Sequence, residues 1–166
     1  YVRANAGEGM VIVSPDAGRV KVAERFAQHL SDKNADVAFI NKRRPKGTAN
    51  IAVAKEVIGE VEGRLCILTD DMIDTGGTIL AAAKALKANG AKRVIVAATH
   101  GVFSHPAVER LSDPVIDSVV VTNTLPITPD KEFATLTVLS IAPLIAKAIA
   151  AVFYDDSVNS LFPGHA

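Results

Sequence analysis

The chain has 166 residues, 49% hydrophobic and 22% charged, a composition that gives one globular domain a substantial core and excludes a disordered chain. Lys plus Arg balances Asp plus Glu at 18 each, so the basic excess usual in nucleic-acid binders is absent and charge-based function must come from local clusters. The single cysteine, Cys66, excludes an intrachain disulfide and fits a reducing, cytoplasmic compartment, and its apolar surroundings at 65–68 read as a buried strand.

The opening "YVRANAGEGM" has no initiator Met and no helix start signal, so the expectation is a chain that begins inside a longer protein. Short β-branched runs then alternate with Ala-rich helical stretches, the pattern of a parallel α/β sheet. Residues 10–13 read as a strand. Residues 20–30 carry Val22, Ala23, Phe26, Ala27 and Leu30 at helical spacing. A second strand is expected at 37–40, followed by "NKRRPKGTAN" as a polar loop, while 51–58 stays ambiguous between helix and extended chain. Strand 65–69 and helix 78–89, closed by Gly90, come next. Strands at 94–98, 118–121 and 136–139 and helices at 106–111 and 141–152 complete the reading. No repeat, linker or signal peptide is visible, and the longest apolar stretch, 137–152, is interrupted and too short to span a membrane.

The most informative stretch is "ILTDDMIDTGGTIL" at 67–80, where an apolar run stops at Asp70 and Asp71. Asp74, Thr75, Gly76, Gly77 and Thr78 follow, and then a helix. In an open parallel sheet, ligands bind beyond the carboxyl ends of the strands. The glycines let backbone approach a ligand closely, and the N–H groups at the helix start make an anion site to which both threonine hydroxyls can add donors. Carboxylates repel a phosphate, so the acids must accept hydrogen bonds from vicinal sugar hydroxyls or hold Mg²⁺ directly or through water. A ribose bearing a 5-phosphate combines both halves. Helix capping by Asp74 is the simpler reading, but it leaves Asp70 and Asp71 unexplained. No Gly-Lys-Ser/Thr follows, so this is no Walker motif.

Elsewhere, Asp16 in "VSPDAG" is either an acid at a helix start or a group on the ligand face of the sheet. Lys42, Arg43, Arg44 and Lys46 concentrate positive charge in one segment, read either as a solvated run or as donors closing over transferring phosphates. His100 reads as fixing the loop after its strand, with a secondary role open. A zinc site is excluded by the solitary cysteine and by His spacing.

The stretch "DDMIDTGGT" resembles the phosphoribosyl-binding motif of the type I phosphoribosyltransferase fold, and in this form it most resembles the ribose-phosphate pyrophosphokinase family. "VSPDAG", "NKRRP", "THGVFS" and "VVVTNTLP" resemble the same family in the same order, over nearly the whole chain. The fold this implies is α/β, a twisted, mainly parallel sheet flanked by helices, with residues 1–166 forming the carboxyl-terminal domain of a two-domain chain. The implied activity is transfer of diphosphate from MgATP to the C1 hydroxyl of ribose 5-phosphate, with Mg²⁺ as cofactor and a homo-oligomer, a hexamer, as the assembly. By resemblance, Asp70, Asp71, Asp74, Thr75, Gly76, Gly77 and Thr78 bind ribose 5-phosphate, Lys42 and Arg44 are catalytic, and Asp16 helps place Mg²⁺. Ser157 and Phe162 in "SVNSLF" match a possible allosteric site, with a packed tail as the alternative. Arg19 and Val22 depart from a pattern that often has Gly and Arg there, and Asn159 replaces a Ser of some members. Much of the ATP site and a metal-binding His are expected upstream, so the chain alone should bind ribose 5-phosphate and turn over poorly. A base-attaching phosphoribosyltransferase or a non-catalytic regulatory paralogue are the alternatives, and neither nucleic acid nor membrane is an expected partner.

Overall fold

At the centre of the fold, Val11–Ser14 (β1) is buried at every position, as a parallel strand covered on both faces must be. The structure is a computed structural model and describes residues 1–7, 9–43 and 54–161. Beside β1 run Asp36–Arg43 (β2) on one side and Leu65–Ile73 (β4) on the other. Ala54–Ile58 (β3) pairs antiparallel with β2, and Arg93–Gly101 (β5), Ser118–Thr122 (β6) and Leu136–Leu139 (β7) extend the sheet beyond β4 in parallel. The spatial order is β3-β2-β1-β4-β5-β6-β7.

That order contains one reversal. The chain moves outward from β1 through β2 and β3, then returns across β1 to lay down β4 and moves outward the other way. Parallel crossovers are right-handed, so the helices that follow β1 and β4 must cover opposite faces. Val20–Gln28 (α2) buries Ala23 and Ala27 against Met10, Ile12 and Ile67 on one face. Gly77–Ala88 (α3) buries Ile79, Ala82, Ala83 and Leu86 against Val11, Val13, Cys66 and Leu68 on the other, joined there by Ala107 and Leu111 of the short Ala107–Leu111 helix (α4). The alternation of strand side chains, period two, sorts the residues between these two cores. Cys66 is fully buried in one of them, and burial pushes its thiol up to about 11, which leaves it inert as the strand reading implied.

The sheet is thus the mainly parallel α/β sheet flanked by helices that the sequence implied. Several boundaries differ from the sequence reading. Val2–Asn5 (α1) is helical although no start signal precedes it. β4 continues past Thr69 to Ile73, and β5 past Ala98 to Gly101, because their ladder pairs out to Ile73 and Gly101. The ambiguous 51–58 segment holds strand β3, and Asn41, Lys42 and Arg43 belong to β2, opposite Glu56, Lys55 and Ala54, rather than to a loop. A ladder supplied by a neighbour overrode the polar composition of that stretch. Ala142–Phe153 (α5) closes the regular structure. Among the described residues no helix is long and apolar enough to cross a membrane.

Gly59 ends β3 at φ +117°, and a Cβ built there would stand 2.7 Å from the Cβ of Ala38 on β2. Gly63, at φ +69°, faces open space. Gly59→Ala therefore combines overpacking with backbone strain and should cost about 2–4 kcal/mol, against about 1–2 kcal/mol for Gly63→Ala. Urea unfolding midpoints at unchanged m-value check this. Equal losses at the two positions would contradict the packing of β3 on β2.

Candidate functional site

The reversal of strand order falls between β1 and β4, and ligand crevices of open α/β sheets lie at that point beyond the strand ends. Val13 pairs with Leu68, so the chain leaving β1 at Pro15-Asp16 and the acids on the end of β4 are neighbours. Ser14 Oγ donates to Asp16 O at 2.6 Å, and Asp16 Oδ1 accepts from the Gly18 N–H at 2.9 Å, so Asp16 caps the single 3₁₀ turn that follows β1. Both open readings of Asp16 meet here: it is a capping acid, and it sits at the ligand end of the sheet.

That turn also delivers Arg19, a residue the sequence reading noted only as a departure. Its guanidinium reaches across to β4, with Nη2 donating to Asp71 Oδ2 at 2.5 Å and Nη1 lying 3.3 Å from Asp70 Oδ1. The acids are tied to each other and to the backbone as well. The Asp71 N–H donates to Asp70 Oδ1 at 2.9 Å, and the Met72 N–H to Asp71 Oδ1 at 2.8 Å. The two carboxyls consequently part in basicity. Burial pushes Asp70 above the ordinary carboxylate range, against hydrogen bonding from the Asp71 backbone and the charge of Arg19. Asp71 meets some burial too, but hydrogen bonds from Arg19, Asp70 and the Met72 N–H hold it below that range. The hydrogen bond to Asp71 likewise raises the Arg19 guanidinium, with Asp70 and Asp16 adding favourable charge. One cation thus compensates three acids, Asp16 from the turn after β1 and Asp70 and Asp71 from the end of β4.

Past Ile73 the chain turns into α3. Gly76 is the N-terminal cap, at φ +72° in the left-handed region, and no side chain caps the helix, so Asp74 is exposed and is not the capping residue. The first N–H groups of a helix have no partners within it, which leaves those at the start of α3 available to an anion. Gly76 is buried beneath the turn, with Leu111 of α4 close by, whereas Thr75 and Thr78 are exposed. A second residue missed from the sequence, Arg110 of α4, donates from Nη1 to Thr75 O at 2.9 Å and braces the turn from outside. Nothing in its local sequence marks it out. Ile73 O accepts the N–H groups of Val102 and Phe103, which joins the turn to the loop after β5.

The remaining predicted residues disperse. His100 lies within β5, its Nδ1 2.8 Å from Thr124 Oγ1, and Thr122 and Thr124 both donate to Thr99 O, so His100 ties β5 to the turn after β6 rather than fixing the loop after its own strand. Lys42 lies on β2 next to β1, and Arg44 falls outside the described residues. Ser157 is exposed at the tail, where its carbonyl accepts from Ser160 Oγ at 2.7 Å, while Phe162 lies outside the described residues. Among the described residues no group of three or more His, Cys, Asp or Glu side chains converges as a cation cage. A hard cation here would take one or two carboxylates and complete its shell with ligand oxygens and water.

A family model described as the phosphoribosyl synthetase-associated domain matches residues 33–163. The chain is 53% identical over 167 residues to a ribose-phosphate pyrophosphokinase of Mycobacterium tuberculosis, covering 100% of this chain and 51% of that protein. It is 55% identical over 163 residues to the ribose-phosphate pyrophosphokinase of Streptomyces coelicolor, covering 98% of this chain and 49% of that one. The crystal structure of phosphoribosylpyrophosphate synthetase from Mycobacterium smegmatis matches with a TM-score of 0.79 at 55% identity, over 89% of this chain and 46% of that one. The chain spans about half the length of the curated relatives it matches. With most of its length under the family model, the chain belongs to the phosphoribosyl synthetase-associated domain family.

Proposed function

We propose that this chain is the carboxyl-terminal half of a ribose-phosphate pyrophosphokinase. The reaction joins the C1 oxygen of ribose 5-phosphate to the β-phosphorus of MgATP, breaks the bond between the β-phosphorus and the bridging oxygen to the α-phosphorus, and releases AMP with loss of the hydroxyl proton. The observation that carries this reading is the acid pair and the uncapped helix start on one continuous turn at the strand-order reversal. That combination suits a ligand with a diol at one end and a phosphate at the other.

In this reading the N–H groups and hydroxyls at Thr75, Gly76, Gly77 and Thr78 hold the 5-phosphate. Asp70 and Asp71 accept hydrogen bonds from the 2- and 3-hydroxyls, with Asp74 between the two ends of the ligand. Lys42 and Arg44 neutralise charge that develops on the transferred group. The carboxylate of Asp16 fits Mg²⁺, a cation that takes few protein oxygens and several from phosphates, and its chemistry there is charge neutralisation on the phosphate oxygens of ATP. Arg19 holds the adjacent acids in place and offsets their repulsion of an anionic sugar, so it is a positioning residue. No nucleophilic side chain is required, because such a transfer is served by alignment and electrostatics. The protein half missing from this chain would complete the ATP site, within a cytoplasmic homo-oligomer, a hexamer.

Two outcomes test the reading. In the protein carrying both halves, AMP should form from MgATP only when ribose 5-phosphate is added. Lys42→Ala should lower kcat by about 10²–10³-fold while the Kd for the sugar phosphate stays within about two-fold. AMP release that ignores the sugar, or a Lys42→Ala enzyme of full activity, would sink it.

The clasp has its own signature in pH. Asp71 has a depressed value in the folded protein, so its contribution to stability is present above the ordinary carboxylate value and is lost as pH falls through the folded one. Asp70 is raised and acts with opposite sign: its penalty is full at neutral pH and is relieved as pH falls through its folded value. In Arg19→Ala, carboxyl-carbon NMR titration should find Asp71 moved up toward the ordinary range and Asp70 moved up further. An unmoved Asp71 would mean that Arg19 does not hold it.

A further inference from the structure

Two glycines follow Thr75, and only the first needs the left-handed region. Gly76 has φ +72°, whereas Gly77, the first residue of α3, has no positive φ. A Cβ on Gly77 would stand 3.3 Å from Arg110 Nη1, tighter than side chains ordinarily pack. The second glycine therefore leaves room for a guanidinium. Arg110 belongs to α4, whose Ala107 and Leu111 are fully buried. The same two residues lie against Gly76: a Cβ built there would be 3.5 Å from Leu111 Cγ and 3.6 Å from Ala107 Cα. α4 is thus locked beneath the turn, and Arg110 reaches from it to donate from Nη1 to Thr75 O at 2.9 Å. Among the described residues no carboxylate pairs with Arg110, so its charge stays uncompensated beside the turn.

We propose that Arg110 is a positioning residue for the phosphate, setting the direction of the Gly76 N–H by holding the carbonyl of the same peptide unit. The inference rests on the reading of this turn as the 5-phosphate site. The Thr75–Gly76 peptide is trans, and in a planar trans unit the C=O and N–H point opposite ways. Drawing the oxygen toward α4 aims the N–H away from α4. A ligand of the turn must approach from that side, since Ala107 and Leu111 close the other. Among the described residues the Gly76 N–H donates to no protein group. Without Arg110 the unit is free to rotate, because the glycine after it accepts φ of either sign. Rotation turns a carbonyl oxygen toward the ligand in place of the N–H, and that oxygen repels a phosphate. The guanidinium is always charged and presents its donors in a fixed fork, so it selects one orientation before the ligand arrives. The 5-phosphate is remote from the reacting C1 oxygen, so this contact is made equally before and during the reaction and acts on KM, not on kcat.

The test is steady-state kinetics on the protein carrying both halves. Arg110→Ala should raise the KM for ribose 5-phosphate about ten-fold, with kcat and the KM for MgATP within about two-fold. Guanidinium ion at millimolar concentration should restore that variant and leave the unaltered enzyme unchanged. Arg110→Lys keeps one charged donor without the fork, so it should raise the same KM about three-fold, and it carries the test where the alanine variant does not fold. A KM that moves in neither variant would overturn the inference. So would a fall in kcat, a rise in both KM values, or an alanine variant that guanidinium does not restore, each the mark of a residue that only packs. AMP release by the unaltered enzyme without the sugar phosphate would instead overturn the reading of the turn, and this inference with it.

Discussion

The parallel pairing of β1 with β4, Val13 against Leu68, is the constraint on which the rest of the molecule depends. It is a long-range pairing across the one reversal in strand order, and it sets two loops of very different sequence side by side at the same end of the sheet. Right-handed crossovers then send α2 and α3 to opposite faces, so the crevice between the two loop ends is left uncovered by either helix. Each strand fills both cores, which makes the position of the loops as stiff as the packing beneath them: Ile12 and Ile67 on one side, Val13 and Leu68 on the other.

On that frame the electrostatics divide along a single turn. Toward β4 lie Asp70 and Asp71, clasped by Arg19 from the β1 loop; toward α3 lie a glycine in the left-handed region and an uncapped helix start. An acid pair placed beside an anion site would ordinarily weaken it, since like charges a few ångströms apart repel. Arg19 limits that repulsion by setting its positive charge against both carboxyls, 3.3 Å from Asp70 Oδ1 and 2.5 Å from Asp71 Oδ2. Arg110 plays the matching part at the other end by fixing the Thr75 carbonyl. Both cations act on the turn from elements remote in sequence.

This explains how much of the site was legible in the sequence. The acids, threonines and glycines of 70–78 are contiguous, so their chemistry could be read as one unit, and the strands and helices around them followed from periodicity. Arg19 lies 51 positions before Asp70 and Arg110 well beyond it, and neither is recognisable as a partner until β1, β4 and α4 are adjacent in space. The polar stretch at 41–43 was misread because strand pairing with β3 comes from a neighbour, not from its own composition. Likewise α5 was correctly read as an apolar helix, but its exposure depends on what packs against it, which no local pattern encodes.

The central claim is that the turn from Asp70 to Thr78 recognises a sugar diol and a phosphate at once. Amide NMR shifts of this chain, followed through separate titrations with ribose 5-phosphate, ribose and inorganic phosphate, test it most directly. The account predicts that ribose 5-phosphate perturbs Asp70, Asp71, Gly76, Gly77 and Thr78 together and with one affinity, at concentrations where ribose and phosphate alone leave most of them unmoved. Equal perturbation by inorganic phosphate, or shifts confined to another part of the sheet, would contradict it.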